Sequence, residues 1–285
     1  MPRKPKAANA AEIIKEPYVA PVLTPLYHHL WKAAESTQDD NDHTNEVSAS
    51  GVDDCRLKNW FRVKEFPRDN RIPPESLKKM ESGRAIEPFW RDVYERAGFE
   101  VVSPLDRIEP IGNLRGGGGG DGGLIVRTPE AAATVGEPIG SRGLLELKDL
   151  GIWTYFDVIN KGWTEGAPQY IVQAQVYMEG YDWDWAVLHA GQADSSATKT
   201  WWTRMWKRDP KDLPAFWAEK LVRDSRTFAW ANARAGEINW FTDNSATPPM
   251  ALRDFDVHDK LQWGQTKKGF PCAYCGWSKT CANLG

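Results

Sequence analysis

One apolar segment that carries two charged side chains, Gly143–Lys148 (GLLELK), constrains the fold of this chain most strongly. Side chains alternate between the two faces of a strand, so Leu145 and Leu147 share one face while Glu146 and Lys148 share the other. A solvated outer face is the simplest interpretation of a glutamate and a lysine at this spacing. The alternative interpretation is that Glu146 and Lys148 belong to a functional site.

A glycine-rich stretch, 116–123, lies upstream of this segment and contains Asp121, shortly before a strand predicted over Leu124–Val126. Glycines let the backbone approach another group closely. An aspartate and a glutamate on adjacent strands can share a divalent metal, and a lysine beside them can hold a water or phosphate oxygen. The stretch lacks both the phosphate-loop pattern and the dinucleotide fingerprint, so nucleotide binding is the weakest interpretation.

Hydrophobic periodicity and helix-end signals predict a single α/β domain. Apolar positions at three- and four-residue spacings predict a helix from Pro74 that ends at Gly98. Proline in the first turn and glycine at the end predict another helix from Pro168 to Gly180. Further predicted elements are strands over Phe99–Val102 and Trp185–Ala190 and a long helix over Lys211–Ala235 that stops at Gly236.

Composition places the 285 residues in the soluble globular class and excludes collagen-like, disulfide-scaffold and globally disordered chains. The net charge of −3 removes the simplest argument for a nucleic-acid partner, which is a strongly basic chain. No apolar run is long enough for a membrane span and no signal peptide is visible, so we expect a cytoplasmic protein without membrane contact. Residues 1–46 read as a flexible tail and linker, and 47–285 as the folded domain.

The charged residues occur in an order that resembles the PD-(D/E)-x-K nuclease superfamily. Asp121 followed by Glu146-x-Lys148 resembles its metal-binding core. Glu87, on the predicted upstream helix, resembles the helical acid of the lambda-exonuclease, YqaJ-like and RecB-like branches. The resemblance implies a restriction-endonuclease-like α/β core, which is a central mixed sheet flanked by helices.

A second motif adds to the resemblance. Gln173 and Tyr177 lie one helical turn apart in QAQVY and match the Q-x-x-x-Y motif of RecB-like nucleases. The resemblance implies that they position the substrate strand. Each side chain alone has an ordinary explanation, as a polar rim residue or a core aromatic. Their order along one chain is what favours the nuclease.

The resemblance implies a metal-dependent DNA nuclease, in the first place an exonuclease, that acts in recombination, repair or end processing. Glu87, Asp121, Glu146 and the backbone carbonyl of Leu147 would hold Mg²⁺ or Mn²⁺. Lys148 would orient or deprotonate the attacking water and stabilise charge on the phosphate. The expected partners are DNA, as single strands or duplex ends, and recombination, phage or CRISPR proteins. The alternative is a non-catalytic module with a four-cysteine zinc or iron-sulfur site that binds DNA or a protein partner on the same scaffold.

All four cysteines of the chain can be assigned to one site. Cys272, Cys275 and Cys281 form C-x2-C-x5-C near the C-terminus, and Cys55 lies far upstream, which satisfies a group that needs four thiolates. This spacing resembles the [4Fe-4S] signature of iron-sulfur RecB-like nucleases such as AddB and the CRISPR-adaptation exonucleases. Structural Zn²⁺ is the alternative. Either group would join the N- and C-terminal segments of the domain.

Tryptophan is in large excess, with 15 residues, and one segment places it among basic side chains. In TKTWWTRMWKRDPK, Trp202 stands close to Arg204, Lys207 and Arg208. Aromatic faces among cations can stack single-stranded bases and neutralise phosphates, so we expect DNA contacts here. A half-buried amphipathic strand with a solvated basic face explains the segment equally well.

Overall fold

The computed structural model describes residues 46–69, 74–192, 203–204, 207, 209, 213–254 and 275–284. The predicted tail, apart from residue 46, lies outside these ranges, so the boundary at residue 46 stays a prediction. Within them no helix combines the length and the apolar character that a membrane span requires. The elements are α1 (Arg56–Val63), α2 (Pro74–Arg96), β1 (Phe99–Val102), β2 (Gly122–Val126), α3 (Pro129–Val135), β3 (Arg142–Leu150), α4 (Ile152–Gly166), α5 (Pro168–Tyr181), β4 (Trp185–Gln192), β5 (Trp217–Val222), α6 (Ser225–Asn244) and α7 (Ser278–Ala282).

A five-stranded mixed sheet in the order β1-β2-β3-β4-β5 forms the centre of the fold. β3 is the middle strand and pairs antiparallel with β2 and parallel with β4. Parallel neighbours need a crossover connection, and α4 and α5 supply it. The predicted α/β class with a mixed sheet and flanking helices is confirmed.

Helices cover the sheet on both faces, so the middle strand is buried on both sides. On one face Leu144 and Leu188 pack in the core with α4 and α5. On the other face Leu145 and Leu147 pack with residues of α2 and α3. Glu146, between them, is completely buried. The interpretation of its face as a solvated outer surface is therefore wrong.

An aromatic cluster brings the segment around α1 together with the C-terminal residues. Phe61 stacks on Trp277 with ring centroids 5.9 Å apart. The Trp277 indole nitrogen donates a hydrogen bond to the carbonyl of Phe66 at 2.8 Å. The Asp69 carboxylate accepts two hydrogen bonds, from the backbone nitrogen and the hydroxyl of Thr280, both at 2.6 Å. Packing and hydrogen bonds thus join these two segments across most of the chain.

The predicted helix over Lys211–Ala235 is confirmed only in its last part, because α6 begins at Ser225. Trp217–Val222 is an edge strand instead, and its side chains alternate between half-buried and exposed. Asp224 follows as the N-cap of α6 and accepts a hydrogen bond from the backbone nitrogen of Arg226 at 3.1 Å. Pairing with β4 and this cap outweigh the helical spacing of the aromatic residues.

Two glycines that were predicted to end helices lie inside them. Gly236 is within α6, where an added Cβ would lie 2.7 Å from the side chain of Asn113. Gly180 is within α5, where a Cβ would lie 2.7 Å from Ile108. The left-handed residue after α5 is Asp182, with φ 53°. Close packing, rather than helix termination, accounts for both glycines.

The other predicted elements are confirmed with small changes at their ends. α2 ends at Arg96, and Gly98 follows with φ 91°. β1 has the predicted bounds, and β2, β3 and β4 are each a few residues longer than predicted. Helices α1, α3, α4 and α7 were not predicted.

Replacement of Gly143 by alanine should destabilise the sheet. A Cβ at this position would lie 2.3 Å from the ring of Trp185, a buried residue whose indole nitrogen donates to Ser141 Oγ at 2.8 Å. We expect Gly143→Ala to lower the free energy of unfolding by about 1–3 kcal/mol in urea denaturation, the usual cost of overpacking. Gly119→Ala is the control, because its Cβ would meet no atom nearer than 3.6 Å. Equal losses in the two variants would contradict the packing argument.

Candidate active site

Asp121 is fixed to the middle of β3 by a hydrogen bond to the backbone. The ladder between β2 and β3 reaches only to the pair Gly122 and Leu145, so Leu147 lies just beyond it. The backbone nitrogen of Leu147 donates to Asp121 Oδ2 at 2.7 Å. The N–H and C=O of one strand residue point to the same side. The Leu147 carbonyl therefore faces the side on which Asp121 lies.

Glu146 and Lys148 form an ion pair at the same place. The Lys148 ammonium donates to Glu146 Oε1 in a short contact and lies 3.6 Å from Asp121 Oδ2. Glu146 Oε2 is buried and has no hydrogen-bond partner in the described part of the chain. A buried polar atom without a partner is costly. This oxygen is therefore a position at which a ligand would be stabilising.

Burial and mutual repulsion raise the pKa values of two acids of this site. Burial raises the pKa of Glu146 to about 7, although the Lys148 ammonium opposes the shift. Burial, and then the charge of Asp121, raises the pKa of Glu87. Burial alone would lower the pKa of Lys148, but the carboxylates of Glu146 and Asp121 outweigh it and raise that pKa. Lys148 is therefore an ammonium at neutral pH, and Glu146 readily takes up a proton or a cation.

Helix α2 brings Glu87 to the site through Arg91. A single nitrogen of Arg91, Nη2, donates both to Glu87 Oε2 and to the backbone carbonyl of Asp121, each at 2.9 Å. Glu87 and Arg91 lie one turn apart on one helix face. Arg91 was not predicted as a site residue, and its four-residue spacing from Glu87 was the available signal.

A cavity of about 290 Å³ opens beside these groups, between α2 and the ends of β3 and β4. Glu87, Asp121 and Lys148 contribute to its lining. Asp149 and His189 also line it, and neither belongs to the predicted site. Asp149 directly follows Lys148, and a histidine within the apolar strand WAVLHA was the only signal for His189.

The oxygen donors at this site suit a hard divalent cation. Carboxylates and backbone carbonyls are the ligands that such ions prefer. The acids are close enough to influence one another, since Asp121 and Glu87 both raise the pKa of Glu146. In the ranges that the structure describes, no three His, Cys, Asp or Glu side chains are grouped tightly enough to hold an ion. The Lys148 ammonium lies among the carboxylates instead.

Gln173 and Tyr177 connect α5 to the glycine-rich stretch and to Glu146. Gln173 Nε2 donates to the Tyr177 hydroxyl at 3.3 Å. A Cβ on Gly118 would lie 2.9 Å from that hydroxyl, so the glycine permits the contact. Burial, and then the charge of Glu146, raises the pKa of Tyr177 to about 12. The structure thus places Tyr177 beside the acids and Gln173 next to it.

Three of the four cysteines lie in the aromatic cluster described above. Cys281 is buried in it, and Cys55 and Cys275 pack against it. Burial raises the pKa of Cys275, and the charges of Cys55 and Cys281 raise it further, but among the described residues these three thiols are not grouped tightly enough to hold an ion. Cys272 lies outside the described residues. The four-thiolate site stays a prediction.

The predicted DNA-contact segment is described only in part. Arg204 and Lys207 are exposed. Trp202 and Arg208 lie outside the described residues. The stacking surface also stays a prediction.

Glu146→Gln should stabilise the metal-free protein at alkaline pH. Glu146 has a pKa of about 7 in the fold against an ordinary value of 4.5, so the folded state favours the neutral form. The stability that this preference supplies is present below pH 4.5 and is lost as the pH rises through 7. A neutral glutamine avoids that loss, which is at most about 3 kcal/mol.

The test is thermal unfolding in EDTA at pH 5 and pH 8. We expect Glu146→Gln to melt above the parent protein at pH 8 and close to it at pH 5. Lys161→Ala, which removes an exposed ion pair with Asp157, is the control and should show no such pH dependence. A lower melting temperature of Glu146→Gln at pH 8 would mean that the ion pair with Lys148 outweighs the burial cost.

Comparison with known proteins assigns no family to the chain, since no family model and no curated protein matches it. Among solved structures, it is similar to the alkaline exonuclease LHK-Exo from Laribacter hongkongensis, with a TM-score of 0.46 and 17% identity over 70% of this chain and 88% of that one. The complex of LHK-Exo with dAMP gives the same TM-score and coverage at 18% identity. A phage related exonuclease from Haemophilus somnus 129PT has a TM-score of 0.45 and 13% identity over 70% and 93% of the two chains.

Proposed function

We propose that this chain is a divalent-metal-dependent nuclease that hydrolyses DNA phosphodiester bonds. The observation that carries the proposal is the unpartnered Oε2 of buried Glu146, next to Asp121 and Lys148. Folding alone gives no reason to leave such an atom unsatisfied. A bound cation would satisfy it, and a set of hard oxygen donors favours Mg²⁺ or Mn²⁺ over softer metals.

The cation would be held by the carboxylates of Glu87, Asp121 and Glu146 and by the backbone carbonyl of Leu147. When bound, a divalent ion lowers the pKa of a coordinated water and stabilises charge on a phosphoryl oxygen. The protein orients its own ligands beforehand. The Leu147 nitrogen holds Asp121, and Arg91 holds Glu87.

Lys148 is suited to stabilise charge. Its pKa is raised by the neighbouring carboxylates, so it donates hydrogen bonds and does not take up a proton at neutral pH. Of the roles that the sequence leaves open, orienting the attacking water and stabilising the developing phosphate charge fit this state better than deprotonating the water. Gln173 and Tyr177, beside Glu146, would position the substrate strand.

The finer assignment is an exonuclease of the RecB-like iron-sulfur branch, which acts on single strands or duplex ends in recombination, repair or end processing. The Q-x-x-x-Y motif and the cysteine spacing support it. A non-catalytic DNA-binding module on the same scaffold is the second candidate. The position of the Lys148 ammonium among the carboxylates favours this candidate, because it satisfies part of their charge without a metal.

Cleavage assays with matched variants separate the two candidates. We expect the purified protein to degrade single-stranded or duplex DNA with Mn²⁺ or Mg²⁺, and not in EDTA. Lys148→Ala and Glu146→Gln should each lower the rate by about 100-fold or more, the usual effect of removing a charge-stabilising group. Lys161→Ala should leave it unchanged.

DNA binding, measured by fluorescence anisotropy, completes this test. Lys148→Ala should still bind a labelled oligonucleotide. Parent protein that binds DNA but cleaves neither form with either metal would favour the non-catalytic module.

We also propose that Cys55, Cys272, Cys275 and Cys281 ligate a [4Fe-4S] cluster, with structural Zn²⁺ as the alternative. The packing of Cys55, Cys275 and Cys281 in one aromatic cluster supports a shared metal. Such a group would reinforce the junction between the α1 segment and the C-terminus, because the energy of metal binding is also folding energy.

Metal analysis of anaerobically purified protein tests this site. We expect a brown sample with broad visible absorption and about four iron atoms per chain. Cys281→Ser should lose the colour and lower the melting temperature, while Lys279→Ala, at an exposed neighbour, should do neither. A colourless sample with one zinc per chain would assign Zn²⁺ instead. A sample without either metal would contradict the shared site.

A further inference from the structure

Two polar groups at the cavity between α2 and the ends of β3 and β4 have no role in the proposed reaction. Asp149 lines the cavity, and among the described residues nothing forms a hydrogen bond or ion pair with its carboxylate. His189 also lines it and is only 1% exposed, and its Nε2 has no partner within the same ranges. Buried polar groups are normally paired. The unpaired nitrogen of buried His189, with the half-buried carboxylate of Asp149 on the same cavity, therefore points to a ligand with polar atoms.

The neighbours of His189 fix its ring, and they leave the buried Nε2 without a hydrogen-bond partner in the described part of the chain. The Tyr94 hydroxyl and His189 Nδ1 are hydrogen-bonded at 3.2 Å. Phe216 stacks on the imidazole with centroids 5.1 Å apart and planes 11° apart. Trp90 packs against it with a centroid distance of 4.2 Å and also lines the cavity. The cavity thus combines an aromatic wall with a fixed polar edge.

Glycine keeps the cavity open where other residues would be more stable. Gly83 lies within α2, where glycine is less favourable than alanine. A Cβ there would meet only Asp149 Cβ, at the ordinary contact distance of 3.6 Å. Packing therefore does not require glycine at this position. Its absence of a side chain leaves space beside Asp149.

A nucleobase has the chemistry that this cavity would take. Its flat ring can stack on Trp90, and its edge carries the donors and acceptors that Asp149 and His189 could pair with. A phosphate is disfavoured next to Asp149, because this carboxylate is not one of the proposed cation ligands and no described basic group pairs with it. The phosphate belongs beside Lys148 and the cation instead.

We propose that this cavity binds the base of a nucleotide next to the scissile phosphate, so that the nuclease holds this base unstacked during hydrolysis. The inference rests on the proposed function and adds a substrate subsite to it. It predicts that cleavage depends on a base at one defined position of the strand, and that filling the cavity removes this dependence.

The experiment compares single-stranded oligonucleotides that carry one abasic nucleotide, moved in turn along the strand, with the intact sequence. The proteins are the parent, Gly83→Ala, Gly83→Leu and the control Ala85→Leu, which lies on the same helix and is exposed. Cleavage with Mn²⁺ is one measurement. The second is anisotropy of the labelled strands bound to Lys148→Ala with and without Gly83→Leu, which reports binding without cleavage.

We expect one abasic position to slow the parent by about tenfold, the size of a lost base–aromatic contact. Gly83→Leu should slow cleavage of the intact strand to a similar extent and leave the abasic strand unaffected, with Gly83→Ala intermediate and Ala85→Leu like the parent. Binding should follow the same pattern. A variant that is merely destabilised would show equally slower cleavage and equally weaker binding of the intact and the abasic strand.

The outcomes separate the two proposals. If the parent cleaves no DNA, the proposed nuclease function fails. If the parent cleaves intact and abasic strands at equal rates at every position, the nuclease stands and the base subsite is wrong. Equal slowing of both strands by Gly83→Leu, in a protein that melts like the parent, would also overturn the subsite.

Discussion

The carboxylate of Glu146 is fully buried in the middle strand of the sheet, and burying this charge is costly unless neighbouring groups compensate for it. Glu146 can be buried only because helices cover β3 on both faces. The Lys148 ammonium satisfies one of its oxygens and leaves the other open. Nearby, the backbone nitrogen of Leu147 holds Asp121, and Arg91 holds Glu87.

Alternation along GLLELK predicted correctly that Glu146 and Lys148 share a face, because the period of two is a property of every strand. It could not show that this face is buried, since burial depends on α4 and α5, which pack there from elsewhere in the chain. The same limit explains the error over residues 217–222. Aromatic residues at helical spacing fit either an edge strand or a helix, and the partner β4 decides between them.

The site extends beyond what sequence order could predict. Arg91 matters because one of its nitrogens reaches both Glu87 and the Asp121 carbonyl, and Asp121 is distant from it in sequence. His189 reaches the cavity because β4 lies parallel to β3, with His189 paired to Leu147. Motif spacing records neighbours along the chain, whereas these contacts are set by strand pairing and helix docking.

The glycine-rich stretch has the composition of a linker, but its backbone packs closely against neighbouring side chains. Added methyl groups would collide with Tyr177 at Gly118 and with Leu144 at Gly120. For protein engineering, this reverses the usual choice of insertion site. A tag or a fused domain should be inserted in the turn at Gly136 and Gly140, where nothing lies within 4 Å of an added Cβ. The glycine-rich stretch, although its composition suggests a flexible linker, is the poorer site.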